Sequence, residues 1–218
     1  MKHEIKRTAG YANRQYFLNA YKTGQHGWAA EGPDPYAVEL LERVRPLVPG
    51  GSLLDIGCGQ GRHAIAAARL GFKVTAIDYE PLALERARRW ADEKGVKGVV
   101  FKTADVFHLP FGDAQFDIVL DYGCFHHQKK SSHNAYKKSI SRVLKKEGLF
   151  ILSVFSPAFR LFNKGARRKW HIAQGAYRRF FTSEDIEEIF ARRFEILELK
   201  EEKGGDGGFW HALMRHRA

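Results

Sequence analysis

The chain has 218 residues, is 44% hydrophobic and 28% charged, and carries a formal net charge of +11. No apolar run approaches the ~20 residues that a bilayer span requires, and two cysteines, Cys58 and Cys124, offer neither a disulfide framework nor zinc-ligand spacing. The composition fits one soluble globular domain with decorations, and the opening residues Met1–Arg7 lack a signal peptide's apolar core, so a cytoplasmic protein without a metal site is expected.

The charge is concentrated. Residues 129–180 hold eight lysines and six arginines against the single acid Glu147, a net +13, which leaves the remainder at −2. Such a lobe suits an anionic small molecule, RNA, a membrane surface or solvent alone.

Residues 1–34 are rich in aromatics (Tyr11, Tyr16, Phe17, Tyr21, Trp28) and end at the turn-prone Gly32-Pro33-Asp34-Pro35. A helix is predicted around 11–22, followed by a loop, the whole forming an extension or lid in which Tyr16 and Trp28 are candidate substrate residues. A second helix is predicted over 35–47, where Val38, Leu41, Val44 and Leu47 recur every three residues.

Strand 52–56 then runs into Leu53-Leu54-Asp55-Ile56-Gly57-Cys58-Gly59-Gln60-Gly61 and a helix from Arg62 to about Leu70. Glycines at every second position let a backbone turn approach a ligand closely, because no Cβ intervenes. Strand 73–78 ends in Asp78, 21 residues after Gly57, where an acid can accept hydrogen bonds from a ribose diol. Helix 81–94 and strand 98–102 follow. Asp105, beyond that strand, could accept from an exocyclic amine.

Strand 115–121 exits through Asp121-Tyr122-Gly123-Cys124-Phe125-His126-His127. Ligands lie beyond the C-terminal strand ends of open parallel sheets, and His126 and His127 are candidate bases by location and by the near-neutral pKa of imidazole. A basic helix is predicted over 131–146, then strand 148–155. The long segment 156–181 is basic and aromatic and is placed to cover a site. Helix 183–192 and two strands, 194–201 and 209–215, joined by a glycine-rich turn, close the chain. Strand–helix alternation predicts an α/β, doubly wound, mostly parallel sheet with an antiparallel strand at its end.

The Asp55–Gly61 turn, Asp78, Asp105 and the closing hairpin together resemble the class I S-adenosylmethionine-dependent methyltransferases over about residues 36–215. A narrower likeness is to small-molecule enzymes of the tellurite-resistance and thiopurine methyltransferase type, through the aromatic extension ending at Gly27-Trp28, the run Gly59-Gln60-Gly61-Arg62-His63 and the strand-four exit. The resemblance implies a Rossmann-like seven-stranded sheet in the order 3-2-1-4-5-7-6, with helices on both faces, in a domain over 35–218. It implies S-adenosylmethionine as methyl donor, with S-adenosylhomocysteine as product. Gly57, Cys58, Gly59 and Gly61 would line its methionine and ribose part, Asp55 would fix that loop and contact the methionine ammonium through water, Asp78 would bind the ribose hydroxyls, Tyr79, Asp105 and Val106 would lie at the adenine, and Tyr122 at the methionine end. Arg62, Arg160, Trp170 and Tyr177 are further candidates on the acceptor side. The expected acceptor is a small molecule, for which the basic segment allows an anion. An RNA methyltransferase using 129–180, or a non-catalytic cofactor-binding module, are the alternatives.

Overall fold

The computed structural model describes residues 14–24, 26, 28, 32–159, 169–173, 175–204 and 207–217. Its main sheet has seven strands: β1 (Ser52–Ile56), β2 (Lys73–Asp78), β3 (Val99–Thr103), β4 (Phe116–Tyr122), β5 (Leu144–Phe155), β8 (Phe194–Gly204) and β9 (Gly207–His216). Their spatial order is β3-β2-β1-β4-β5-β9-β8. Pairings among the first five are parallel, and β9 runs antiparallel to β5, from Leu149 opposite Arg215 to Phe155 opposite Phe209. This is the expected order, with the last two strands renumbered by a small hairpin, β6 (Trp170–Ala173) and β7 (Ala176–Arg179), inside the basic segment.

Period-two alternation in the strands builds a core on each face. Leu53, Ile118 and Ile151 point to one side, against Leu40, Leu41 and Val44 of α2 (Pro35–Val44) and Ala64 and Ala67 of α3 (Arg62–Arg69). Leu54, Val119, Phe150 and Leu152 point to the other, against Tyr136, Ile140 and Val143 of α5 (His133–Val143) and Ile186 and Phe190 of α6 (Ser183–Phe190). The remaining described helices are α1 (Arg14–Thr23) and α4 (Pro81–Glu93), the latter adding Leu84 to the first core.

The largest boundary differences from the sequence reading lie between α5 and β5. Helix α5 ends at Val143, not Lys146, and Leu144 already pairs with Phe116. Ile118 next pairs with Leu149, so residues 145–148 bulge opposite Asp117. Lys145 Nζ donates to Asp117 Oδ1 at 2.7 Å and Glu147 takes φ +60. A Cβ on Gly148 would lie 3.0 Å from the Lys145 carbonyl and 3.2 Å from that of Asp117. The charged run thus continues the strand through a bulge that only a glycine fits closely.

The start of α6 is set by a capping box: Thr182 Oγ1 accepts from the Asp185 amide, and Asp185 Oδ2 accepts from the Thr182 amide. Thr182→Ala is expected to cost about 1 kcal/mol in urea unfolding; an unchanged midpoint would show that the box contributes nothing.

Candidate functional site

The C-terminal ends of β1, β2 and β4 meet below α1, around a cavity of about 360 Å³, within the range of ligand clefts. Its floor is the β1–α3 turn. Gly57, Gly59 and Gly61 have φ values of 64°, 54° and 80°, left-handed conformations that β-carbons disfavour. A Cβ at Gly57 would sit 2.9 Å from Cys124 Cβ, and one at Gly59 would sit 2.9 Å from the Tyr21 hydroxyl. Gly61 serves differently: it begins α3 and faces Phe101 and Ala87.

Three carboxylates lie under this floor. Asp78 Oδ2 accepts from the Gly59 amide and Oδ1 from the Glu80 amide, both at 2.9 Å. The Tyr79 amide also bonds to this carboxylate, which leaves one of its about four lone pairs unused. Burial pushes the Asp78 carboxyl up to about 6, against the lowering effect of those amides. Asp55 rises to about 7 through burial and the charges of Asp121 and Asp78, and its Oδ2 has no partner among the described residues. Asp121 is fully buried, accepts from the Cys124 and Phe125 amides and from the Tyr136 hydroxyl, and rises to about 7 because desolvation outweighs those bonds. The Asp121 bonds fold the β4 exit into a 3-10 turn, 125–127, that carries both candidate histidines.

His127 Nδ1 lies 2.7 Å from the Tyr177 carbonyl. A carbonyl only accepts, so Nδ1 carries the proton and Nε2 is a free lone pair on a neutral ring. Burial holds His127 down at about 4. His126 stacks on Phe155, centroids 3.6 Å apart, and burial, then His127 and Arg178, hold it well below the usual imidazole range. Both line the cavity.

The roof is α1 and the segment after it. Phe17 meets Tyr79, Trp28 and His127 at centroid distances of 6.1, 5.7 and 5.0 Å. Tyr16 and Tyr21 also line the cavity. Arg62 lies over the Tyr122 ring, 5.2 Å from its centroid, and the Tyr122 hydroxyl donates to Asp34 Oδ2 at 2.9 Å. Asp34 also caps α2 through the Ala37 amide, and its own amide donates to His63 Nε2.

The cavity thus brings together Asp55, Gly57, Cys58, Gly59, Asp78, Tyr79, Tyr122, His126, His127, Tyr16, Trp28 and Arg62 from the sequence expectations. Among the described residues, Gly61, Asp105, Val106, Trp170 and Tyr177 do not line it. Asp105 caps the short turn 106–108, accepting from the Phe107 amide at 2.8 Å and pairing with His108 at 3.1 Å. Val106 is a core residue whose carbonyl accepts from Ser139. Trp170 is 54% exposed and stacks on Tyr177 outside the cavity, where Tyr177 acts through its carbonyl. Arg160 lies outside the described residues. Lining residues that the sequence reading passed over are Phe17, Tyr21, Trp90, Gln128, Phe155, Phe159, Arg178 and Phe209. Of these, Gln128 carried a readable signal, since it directly follows His126-His127 at the strand-four exit. Its amide nitrogen donates to the Cys124 carbonyl at 3.0 Å, which leaves Oε1 buried without a partner among the described residues.

The same burial sets a pH dependence for folding. His26, His127 and His133 are held down to about 4, His63 and His126 well below the usual range, and His211 is lowered, all chiefly by burial. Below about pH 6.5 the unfolded chain protonates these rings and the folded one does not, so stability is lost as pH falls toward about 4. Asp55, Asp78 and Asp121 act oppositely: their raised pKa values favour the folded state at low pH, and this contribution disappears as pH rises through about 6–7. Six groups outweigh three, so the thermal midpoint is expected to be lower at about pH 5 than at about pH 7. A higher midpoint at the acid end would mean that the carboxylates dominate.

Among the described residues no group of three or more His, Cys, Asp or Glu side chains could hold a metal ion, and no helix is long and apolar enough to cross a membrane.

A family described as "Methyltransferase domain" matches residues 47–193. A 2-heptyl-1-hydroxyquinolin-4(1H)-one methyltransferase of Mycobacteroides abscessus is 29% identical over 131 residues, covering 60% of this chain and 56% of its own length. An uncharacterised methyltransferase of Schizosaccharomyces pombe is 36% identical over 120 residues, covering 55% and 79%. The crystal structure of Burkholderia thailandensis 1,6-didemethyltoxoflavin-N1-methyltransferase, with bound 1,6-didemethyltoxoflavin and S-adenosylhomocysteine, superposes with a TM-score of 0.75 at 26% identity. That superposition covers 94% of this chain and 87% of the other.

Proposed function

Because this chain belongs to the methyltransferase-domain family, with its class I, S-adenosylmethionine-dependent fold, we propose that it methylates a small, flat aromatic or heteroaromatic acceptor. The single observation that carries this reading is the make-up of the cavity. One end is a glycine floor with Asp55 and Asp78; the other is walled by Phe17, Phe155, Phe159 and Phe209 beside His126, His127 and Arg178. Two relatives act, by their names, on a hydroxyquinolinone and on 1,6-didemethyltoxoflavin.

The glycine end fits the donor. Gly57 and Gly59 leave the room a side chain would fill, Asp55 Oδ2 awaits a donor, and Asp78 lines the cavity with a lone pair unused. In this reading Asp78 holds the ribose hydroxyls, and Asp55 the methionine ammonium. When bound, S-adenosylmethionine supplies a methyl carbon already activated by a sulfonium. The protein then has to orient the acceptor and exclude water, and orientation can supply up to roughly 7–11 kcal/mol of the acceleration. Tyr16 and Phe17 of α1, with Trp28 beyond its end, close over the reaction space. The aromatic walls fix the plane of the acceptor ring.

The enclosure favours a small molecule over RNA. So does the use of three cations in the basic run 137–145. Lys137 donates to the Ile189 carbonyl, Arg142 to the carbonyls of Leu109 and Phe111, and Lys145 to Asp117. These three cations support the fold. The extension 1–34 as a lid, and the 35–218 body as the transferase domain, belong to the same proposal.

The test is methyl transfer. The protein is incubated with S-adenosylmethionine and a panel of hydroxylated or N–H-bearing flat rings, quinolones included, and products are read by mass spectrometry. One added methyl group on such rings is the expected result. Turnover on RNA or on protein side chains, with every flat ring left unmodified, would overturn the reading.

A further inference from the structure

The histidine end of the cavity contains a residue with no counterpart in the donor site. Hairpin β6–β7 packs β7 against the turn 125–127, and two consecutive β7 residues reach the site in different ways. Tyr177 gives its backbone carbonyl to His127. Arg178 gives its side chain: the residue is 1% exposed and lines the cavity. Its Nη2 donates to the Tyr16 hydroxyl at 2.8 Å and its Nη1 to the Ala176 carbonyl at 3.3 Å. Its guanidinium carbon lies 5.1 Å from the centroid of the Tyr16 ring. Roof and hairpin therefore fix the cation in place from two sides.

Among the described residues lining this end of the cavity, the charged side chain is that of Arg178. His126 and His127 face Arg178 from the β4 exit and are neutral, held down by burial and by Arg178 itself. Tyr16 faces it from α1. The acids that line the cavity, Asp55 and Asp78, belong to the glycine floor. Arg62, the other lining cation, belongs to the wall with Tyr122 and His63. Arg179, next in sequence, turns away and pairs with Asp185. A guanidinium in a water-poor, aromatic-walled space favours an anion strongly, because the low dielectric magnifies the attraction.

We propose that the acceptor is an acidic hydroxyl on the aromatic ring, bound as its oxyanion, with Arg178 as the counter-ion. This rests on the flat-ring acceptor proposed above and specifies its ionic form. The hydroxyl proton passes to solvent as the acceptor binds. The oxyanion then attacks the methyl carbon: a C–O bond forms, the C–S bond breaks, and its electron pair stays on sulfur. Anion and sulfonium both become neutral. No general base is consumed, so His126 and His127 shape the pocket and are not required to take the proton. The neutral ether no longer needs the cation, which favours its release.

Because charge is annihilated on the way to the transition state, Arg178 acts in binding more than in the chemical step. Its loss should raise KM with kcat little changed.

The probe is 4-nitrophenol, whose ionised form absorbs in the visible, with 4-nitroanisole as its uncharged ether. Both are titrated into wild-type protein saturated with S-adenosylhomocysteine, at a pH below the ionisation of free 4-nitrophenol. The phenolate band should grow on binding, with an ionisation constant at least about tenfold larger than in water. Binding of 4-nitrophenol should exceed that of 4-nitroanisole. Arg178→Gln should lose the band and weaken 4-nitrophenol about 30-fold or more, the usual cost of removing one partner of a buried charge pair. Arg178→Lys should recover part of it, and Tyr16→Phe should weaken it less than Arg178→Gln. Retained binding of S-adenosylhomocysteine checks that each variant is folded; if Arg178→Gln is not, the wild-type band and Tyr16→Phe decide. Equal binding of phenol and ether without a phenolate band overturns this inference and leaves the flat-ring reading standing. Binding of neither probe, with the cofactor product still bound, overturns both.

Discussion

Gly57→Ala is expected to unfold the floor of the cavity and abolish measurable S-adenosylmethionine binding. Two costs add. The residue has φ +64, where a β-carbon costs about 1–2 kcal/mol. The new Cβ would also lie 2.9 Å from Cys124 Cβ and 3.3 Å from its Sγ, and overpacking of that kind costs about 1–3 kcal/mol. Cys124 cannot retreat easily, because its amide is tied to Asp121 at 2.7 Å and its carbonyl accepts from Gln128 and, at 3.2 Å, from the His127 amide. Displacing it shifts the turn that carries His126 and His127. The double variant Gly57→Ala/Cys124→Gly should recover the steric part and keep the dihedral cost. Calorimetry and urea unfolding read the two effects separately. A single variant with wild-type affinity would mean that the turn is not the floor of the donor site.

The second large effect is expected at Asp78. Its carboxylate holds the Gly59 amide to the end of β2 and, in the proposed reading, receives two ribose hydroxyls. Hydrogen bonds to a charged group contribute about 1.5–3 kcal/mol each, so Asp78→Ala should weaken S-adenosylmethionine about 100-fold or more. It should also lower stability, since two buried amides lose their acceptor. Asp78→Asn separates the roles. Its amide oxygen can serve one of the two amides, while its NH2 opposes the other, so both readouts should fall short of wild type and exceed Asp78→Ala. Undiminished affinity in the alanine variant would exclude a contact between Asp78 and the ribose.

The glycine end of the cavity was legible because its geometry is local. A strand, a glycine turn and a helix start lie within a few residues, and Asp78 ends the neighbouring strand, so chain order alone sets their proximity. The mostly parallel, doubly wound sheet followed from strand–helix alternation, while its strand order came from the family resemblance. The acceptor end depends on contacts between distant segments. Arg178 reaches it only because residues 170–179 pair as a hairpin and β7 then lies on the β4 exit; within the basic run of the sequence it looks like any other arginine. Phe17 reads as one aromatic in an aromatic extension until α1 is seen to lie over Tyr79 and His127. The early start of β5 was hidden in a charged run, Lys145-Lys146-Glu147, whose polarity signals a helix end. Phe116 and Leu144 pair before the bulge that this run forms. Asp105 sits at a strand end, as Asp78 does, yet the chain bends at once into a 3-10 turn that its carboxylate caps. Position on a strand places a side chain near a site, while its hydrogen bonds are decided by the next three residues.

The most direct test of the account is a crystal structure of the protein with S-adenosylhomocysteine. The account expects the ribose hydroxyls within hydrogen-bond reach of Asp78 and the methionine ammonium at Asp55 Oδ2. The sulfur should point into the space between His127, Phe155 and Arg178. A cofactor bound elsewhere, or with its sulfur turned away from that space, would contradict it.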